Sequence, residues 1–195
     1  MIEVRRASSV EEVMVAIDVL DRIFGAHEGW NATRDRNIEA YGADPALLAI
    51  ALDEGCVVGA VGSDGAGTVT AVGVDPAYRG HGIARQLLGE AEDTLRQRGA
   101  HSVGLGAVDD AVDFYLRCGY VPQLLVQFRS EVESPQSIVQ ELLTGPLRDH
   151  EVSQTEFQGS PQLWVQVDTV DFTFKGQIEA VAPGTVAGYI MSKEL

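Results

Sequence analysis

Basic residues are scarce in this sequence: 14 Lys and Arg stand against 29 Asp and Glu, a formal charge of −15. A surface of that sign repels phosphate backbones and anionic lipid, which excludes nucleic acid and membranes as partners. Cysteine is scarcer still, with Cys56 and Cys118 alone among 195 residues. Two thiols so far apart, with no His or Cys at ligand spacing, make neither a disulfide framework nor a zinc site, and no metal is expected. That usage points to a reducing cytoplasm. No apolar stretch reaches the length of a membrane span. The opening Met1-Ile2-Glu3-Val4-Arg5-Arg6 lacks the apolar region of a signal peptide. Internal repeats are missing as well. What is present is core material: 45% of the residues are hydrophobic, enough for one domain of ordinary size with or without a small appendage.

Residues 69–90 organise the chain. The β-branched run Val69 to Val74 predicts a strand that stops at Asp75-Pro76, because proline has no N–H and pushes its predecessor away from helix. Arg79-Gly80-His81-Gly82 follows, then a helix with Ala84, Leu87, Leu88, Ala91 and Leu95 on one face and Gly99 as its stop. A strand, a glycine loop and a helix N-terminus make an anion site: the first helical N–H groups have no intrahelical partner, and the dipole favours negative charge there. The spacing is neither a Walker loop nor the dinucleotide fingerprint. Taken alone, the segment is also readable as a turn that binds nothing.

The same segment resembles motif A of the GNAT family, the Gcn5-related N-acetyltransferases. Arg79, Gly82 and Ala84 match its Arg/Gln-x-x-Gly-x-Gly/Ala, preceded by Val74, Pro76 and Tyr78. The resemblance implies acetyl-CoA as co-substrate. Arg79 and the amides of Gly80, His81, Gly82, Ile83, Ala84 and Arg85 would hold the pyrophosphate, and the strand edge at Val72, Gly73 and Val74 would pair with the pantetheine arm. A second match runs from Val108 to Tyr120, with Ala111, Phe114, Tyr115, Gly119 and Tyr120 in register. Val108 stands where the family has Asn, so one cofactor contact is lost. Tyr115 occupies the position of the family's general acid. On its helix alone it reads equally as a core tyrosine. No general base is identifiable.

The remaining elements read as follows. Residues 2–7 form a strand. Ser8 with Glu11 and Ser9 with Glu12 are overlapping capping boxes for a helix with Val10, Val13, Met14, Ile17 and Phe24 inward, ended by Gly25. Gly25 to Thr33 reads as a loop, and the resemblance makes His27, Glu28 and Trp30 candidate acceptor contacts. Thr33 caps a short helix to Tyr41. Strands follow at 47–52 and 56–61, joined by Asp53-Glu54-Gly55. Another runs from His101 to Val108, and Asp109 or Asp110 caps the helix that carries Tyr115. Beyond Tyr120 a β-α-β-β-α-β order appears: strand 124–132, helix 135–143, strands 152–158 and 162–170, helix 171–181 and strand 185–191. That order is ferredoxin-like. Its competitor has the first and last of these strands completing the acetyltransferase sheet around an insertion.

The expected class is therefore α+β, of the three-layer α/β type, with a mixed, mainly antiparallel sheet. The GNAT domain is expected over 1–130 and a small α+β extension over 131–195, which would roof the acceptor pocket or form a homodimer. The resemblance implies transfer of acetyl from acetyl-CoA to a primary amine of a small molecule or peptide, and the acidic surface suits a cationic acceptor. The alternative is a non-catalytic CoA-binding sensor or scaffold.

Overall fold

A computed structural model describes residues 1–25, 28–129, 132, 134–181 and 183–195, with Glu28 defined in its backbone only. The chain divides into two compact units: 1–104 with 194–195, and 105–193. The expected division at 130/131 lies later in the chain, and both of those residues are outside the described set.

The first unit is built on four antiparallel strands in the order β1-β2-β3-β4: β1 (Glu3–Arg6), β2 (Leu48–Asp53), β3 (Cys56–Ser63) and β4 (Val69–Val74). Glu54 and Gly55 join β2 to β3 with φ of 48° and 83°, the paired left-handed residues of a tight hairpin. Helix α1 (Val10–Phe24) starts at Ser9, whose hydroxyl accepts the Glu12 N–H. The Glu12 carboxylate takes the Ser8 N–H and a two-pronged contact from Arg5. Its buried face is Val13, Ala16, Ile17 and Leu20, which pack with Leu48, Ile50, Ala60 and Ala71 from the sheet. Val10 and Met14, expected inward, are exposed, because the buried stripe Val13, Ala16, Ile17 and Leu20, at i, i+3, i+4 and i+7, leaves both of them to one side.

Helix α2 corrects the sequence reading. It spans Glu28–Ala43, so most of the expected loop is helix and Thr33 lies within it. Thr33 bonds back to the Gly29 carbonyl instead of capping, a use of Thr inside helices that leaves its N-cap signal misleading. Helix α3 (Ile83–Gln97) covers the other sheet face, where Gly59 leaves room for Leu87. Gly99, at φ 90°, ends it, with Gly99 N–H to Arg96 and Ala100 N–H to Leu95, the paired bonds of a Schellman stop. Helices on both faces make three layers.

The second unit carries a sheet in the order β5-β9-β6-β8-β7, from β5 (Ser102–Ala107), β6 (Val121–Phe128), β7 (Val152–Phe157), β8 (Ser160–Gln166) and β9 (Thr185–Glu194). The pairs β6–β8, β6–β9 and β7–β8 are all antiparallel. The order β9-β6-β8-β7 is the split β-α-β arrangement, and β9 and β6 also extend the sheet from β5. The ferredoxin-like order is therefore present in the second sheet. Helix α4 (Val112–Arg117) follows a 3-10 turn at Asp109–Ala111. Neither aspartate caps it: Asp109 instead pairs with Lys175 at 2.7 Å. Helices α5 (Pro135–Thr144) and α6 (Phe172–Val181) complete the unit, with the Asp171 carboxylate accepting the Thr173 and Phe174 N–H groups. Among the described residues no helix is long and apolar enough to cross a membrane.

Candidate functional site

Strand β4 is the edge of the first sheet. The Asp75 N–H reaches the Val58 carbonyl, and Ala60 pairs with Gly73. Antiparallel pairs alternate between bonded and non-bonded, so the main-chain groups of Gly73 face β3 while those of Val72 and Val74 face the free edge. The edge is therefore open at Val72 and Val74, while Gly73, also expected to pair with the arm, has its main-chain groups engaged with Ala60. The Val74 carbonyl accepts Arg79 Nε at 3.1 Å, a contact no sequence pattern announces. Gly73 has a separate reason to be glycine: a Cβ there would meet Leu20 Cδ2 at 2.8 Å.

The turn after β4 is tied down from below. Asp75 accepts the Ala77 N–H, and the Tyr78 hydroxyl donates to Asp53 at 3.2 Å. That bond, with the carboxylate charge beside it, raises the Tyr78 pKa. His81 Nδ1 lies 3.2 Å from the Tyr78 carbonyl. Gly80 and Gly82 have φ of 82° and 77°, left-handed values that disfavour any side chain. A Cβ at either would meet nothing within 4 Å, so these glycines serve conformation and an open surface, not packing. Gly82 is the N-cap of α3 and offers no side-chain acceptor. The N–H groups of Ile83, Ala84 and Arg85 are thus left without an intrahelical partner. Ile83 is buried and anchors the turn, while Arg79, His81 and Arg85 are exposed around it. Open amides, a positive helix end and two guanidinium groups fit a diphosphate.

Tyr115 lies in the second unit, on the buried side of α4 with Val112 and Cys118. Its ring meets Phe114 and Tyr120 edge-on, and the residue is 6% exposed. The hydroxyl has no hydrogen-bond partner among the described residues. No buried side-chain oxygen among them is unsatisfied, so the phenol oxygen touches the accessible surface. Burial, with a smaller contribution from Cys118, pushes its pKa up to about 12. It is therefore a protonated donor at any ordinary pH. Val108, in the place of the family's Asn, is exposed.

Of the acceptor candidates, His27 and the Glu28 side chain lie outside the described residues. Trp30 is 4% exposed and packs on Phe24 at 5.3 Å. Its indole N–H donates to Asp21 at 2.7 Å, and Arg34 binds the same carboxylate through Nε and Nη2. This clasp joins α1 to α2. It was hidden in the sequence because Asp21, Trp30 and Arg34 share no single helical period. Among the described residues no group of three His, Cys, Asp or Glu side chains could hold a metal ion.

An edge strand, a glycine turn and a helix end with open amides make a strand–loop–helix arrangement of the anion-binding type. The sequence profile of the acetyltransferase (GNAT) family matches residues 15–120, more than half of the chain. The chain belongs to the GNAT acetyltransferase family. No curated protein sequence matches it. Among solved structures, it resembles Arabidopsis thaliana Naa50 in complex with a CoA-peptide bisubstrate analogue, at 15% identity over 100% of this chain and 99% of that one, with a TM-score of 0.52. Ard1 from Thermoplasma volcanium matches at 16% identity over 87% and 99%, with a TM-score of 0.53. A Mycobacterium tuberculosis protein in complex with CoA matches at 16% identity over 99% of both, with a TM-score of 0.52. At these identities the likeness is one of fold.

Proposed function

We propose that this protein transfers an acetyl group from acetyl-CoA to a primary amine of a small molecule or peptide, by direct attack of the amine on the thioester. The observation that carries the reading is the row of open amides at Ile83–Arg85 behind two left-handed glycines. The thioester supplies an activated acyl carbon. The residues of the chain bind and orient: Arg79, Arg85 and the loop amides hold the diphosphate, and the outward Val72 and Val74 groups align the arm, a proximity effect. The Val74 N–H, on the free edge, suits the developing oxyanion. As the C–N bond forms the amine gives up a proton to water, and as the C–S bond breaks the thiolate takes one from Tyr115, whose phenolate is then reprotonated from solvent. Acceptors of the fold neighbours include a peptide mimic, in Naa50. The charge of −15 favours a cationic amine.

Val108 favours a second reading, a CoA-binding module without turnover. Release of free CoA thiol from acetyl-CoA over a panel of cationic amines and peptides separates the two. Amine-dependent release is expected. CoA binding without release for any amine would leave the binding module.

A further inference from the structure

We infer that Lys175, on α6, is a positioning residue for Tyr115, which deepens the proposed acetyl transfer and rests on it for the effect on turnover. Helix α4, which carries Tyr115, does not hold its own place. It has six residues, and neither Val108 before the 3-10 turn nor Ala111 before the helix supplies a side-chain cap. Helices this short are not stable alone. Val112, Tyr115 and Cys118 are buried and keep α4 against the core of its unit. Apolar contacts are non-directional, so they fix the burial of the helix but not its register.

Asp109 makes the directional contact. Its carboxylate, in the turn that leads into α4, receives Lys175 Nζ on both oxygens, at 2.9 and 2.7 Å. Lys175 is itself well anchored. Its N–H donates to the Asp171 carbonyl at 3.0 Å. The Asp171 N–H donates to the Tyr189 hydroxyl at 2.8 Å, and that hydroxyl donates back to the Asp171 carbonyl at 3.0 Å. Tyr189 sits on β9 and is fully buried. Phe174, next to Lys175, stacks on His150 at 4.5 Å. A series of bonds therefore runs from the sheet through α6 to the start of α4, all inside the second unit.

Stability alone does not call for a lysine here. Only 15% of the Lys175 side chain is exposed, against 49% of Asp109. Withdrawing an ammonium group from water is costly, and an apolar side chain of similar size in such a position is often neutral or stabilising. What the ion pair adds is a fixed distance between two particular groups. Proton donation needs that distance, because a misplacement of about 1 Å costs up to about 10²-fold in rate. Lys175 also lies beyond residue 120, where the family profile ends, so α6 gives the C-terminal region a part in the site.

NMR of the full chain with carbon-13 at the tyrosine Cζ reads the placement without any acceptor, from five tyrosines. The Tyr115 signal is the one that Tyr115→Phe removes. In the wild type it should be single and remain that of the neutral phenol to about pH 11, since burial holds its pKa near 12. Lys175→Met keeps the stem and removes the charge. Asp109→Asn is the milder change at the more exposed partner, and serves if the first variant does not fold. Each should shift or split the Tyr115 signal at neutral pH and bring its ionisation below that limit. Tyr41, buried in the first unit, should keep its signal. An unmoved Tyr115 signal in both variants overturns the inference, and so does an equal shift of Tyr41, which would mean general loosening. With an amine that releases CoA thiol, turnover of Lys175→Met should fall roughly tenfold to hundredfold at unchanged acetyl-CoA affinity. In the Tyr115→Phe background the same substitution should cost nothing further, and losses that multiply overturn the inference. Normal turnover in Tyr115→Phe alone would count against the proposed function instead, while the NMR result stands.

Discussion

Tyr115 and Gly82 bear opposite kinds of chemistry. Tyr115 is held by packing and acts, in the proposed function, only as the C–S bond breaks. Tyr115→Phe keeps the ring against Phe114 and Tyr120 and removes the hydroxyl. The turnover number should fall by roughly 10²- to 10⁴-fold, with little change in the acetyl-CoA dissociation constant. The hydroxyl has no partner to lose among the described residues, so thermal stability should hold. Because its pKa lies near 12, wild-type turnover should show no alkaline loss from this group below about pH 11. Normal turnover in the variant would make Tyr115 a packing residue. In the same proposal Gly82 is the reverse case, needed in the ground state. Gly82→Asp places a carboxylate at an open helix end with φ of 77°. The strain should cost about 1–2 kcal/mol, which leaves the fold intact, while calorimetric CoA binding disappears. Unchanged affinity would move the diphosphate elsewhere.

Among the elements, the stretch from β4 through α3 was legible because every local signal agreed: a β-branched run, Asp-Pro, left-handed glycines, then a helical period. The ferredoxin-like order was legible for the same reason. The start of α2 was not, because its 28–33 segment mixes Gly, Trp, Asn and Thr, and a tertiary clasp on Asp21 supplies what propensity does not. The site's edge geometry was legible only as family resemblance; the direction of the Val74 carbonyl and its bond to Arg79 needed strand pairing. The start of α1 gives a prediction at this scale. The Arg5 guanidinium, aided by the Ser8 N–H, pulls the Glu12 pKa down from 4.5 to about 2. A carboxylate whose folded pKa is depressed adds stability above its unfolded value, and that stability is lost as pH falls through the folded one. The melting temperature should therefore drop between about pH 4.5 and pH 2, partly through Glu12. Glu12→Gln should lower it at pH 7 by about 1 kcal/mol of stability, since the pair is half-exposed. The variant should then lose less on acidification. Parallel acid transitions in the two proteins would assign the drop to other carboxylates, Asp21 beside Arg34 first among them.

The whole molecule sets a problem that its binding loop has to solve. In the proposed function, a chain at −15 repels a polyanionic coenzyme at a distance, while Arg79, Arg85 and the α3 amides would attract it on contact. The two effects differ in range. Contact bonds act at about 3 Å in a partly desolvated site, where salt has little access. The repulsion is summed over the surface and is cut once the Debye length falls to about 8–10 Å. Raising salt from about 10 to 150 mM should therefore speed the association of CoA, opposite to the slowing that salt brings to attractive steering. The dissociation rate should move much less. Stopped-flow binding at several ionic strengths reads both rates. Arg85→Gln should slow association at every salt and speed dissociation, yet keep the upward salt trend, because the trend belongs to the distant charges. If association instead slows with salt in the wild type, the local basic cluster governs approach as well as contact, and the acidic surface lies too far from the loop to be felt.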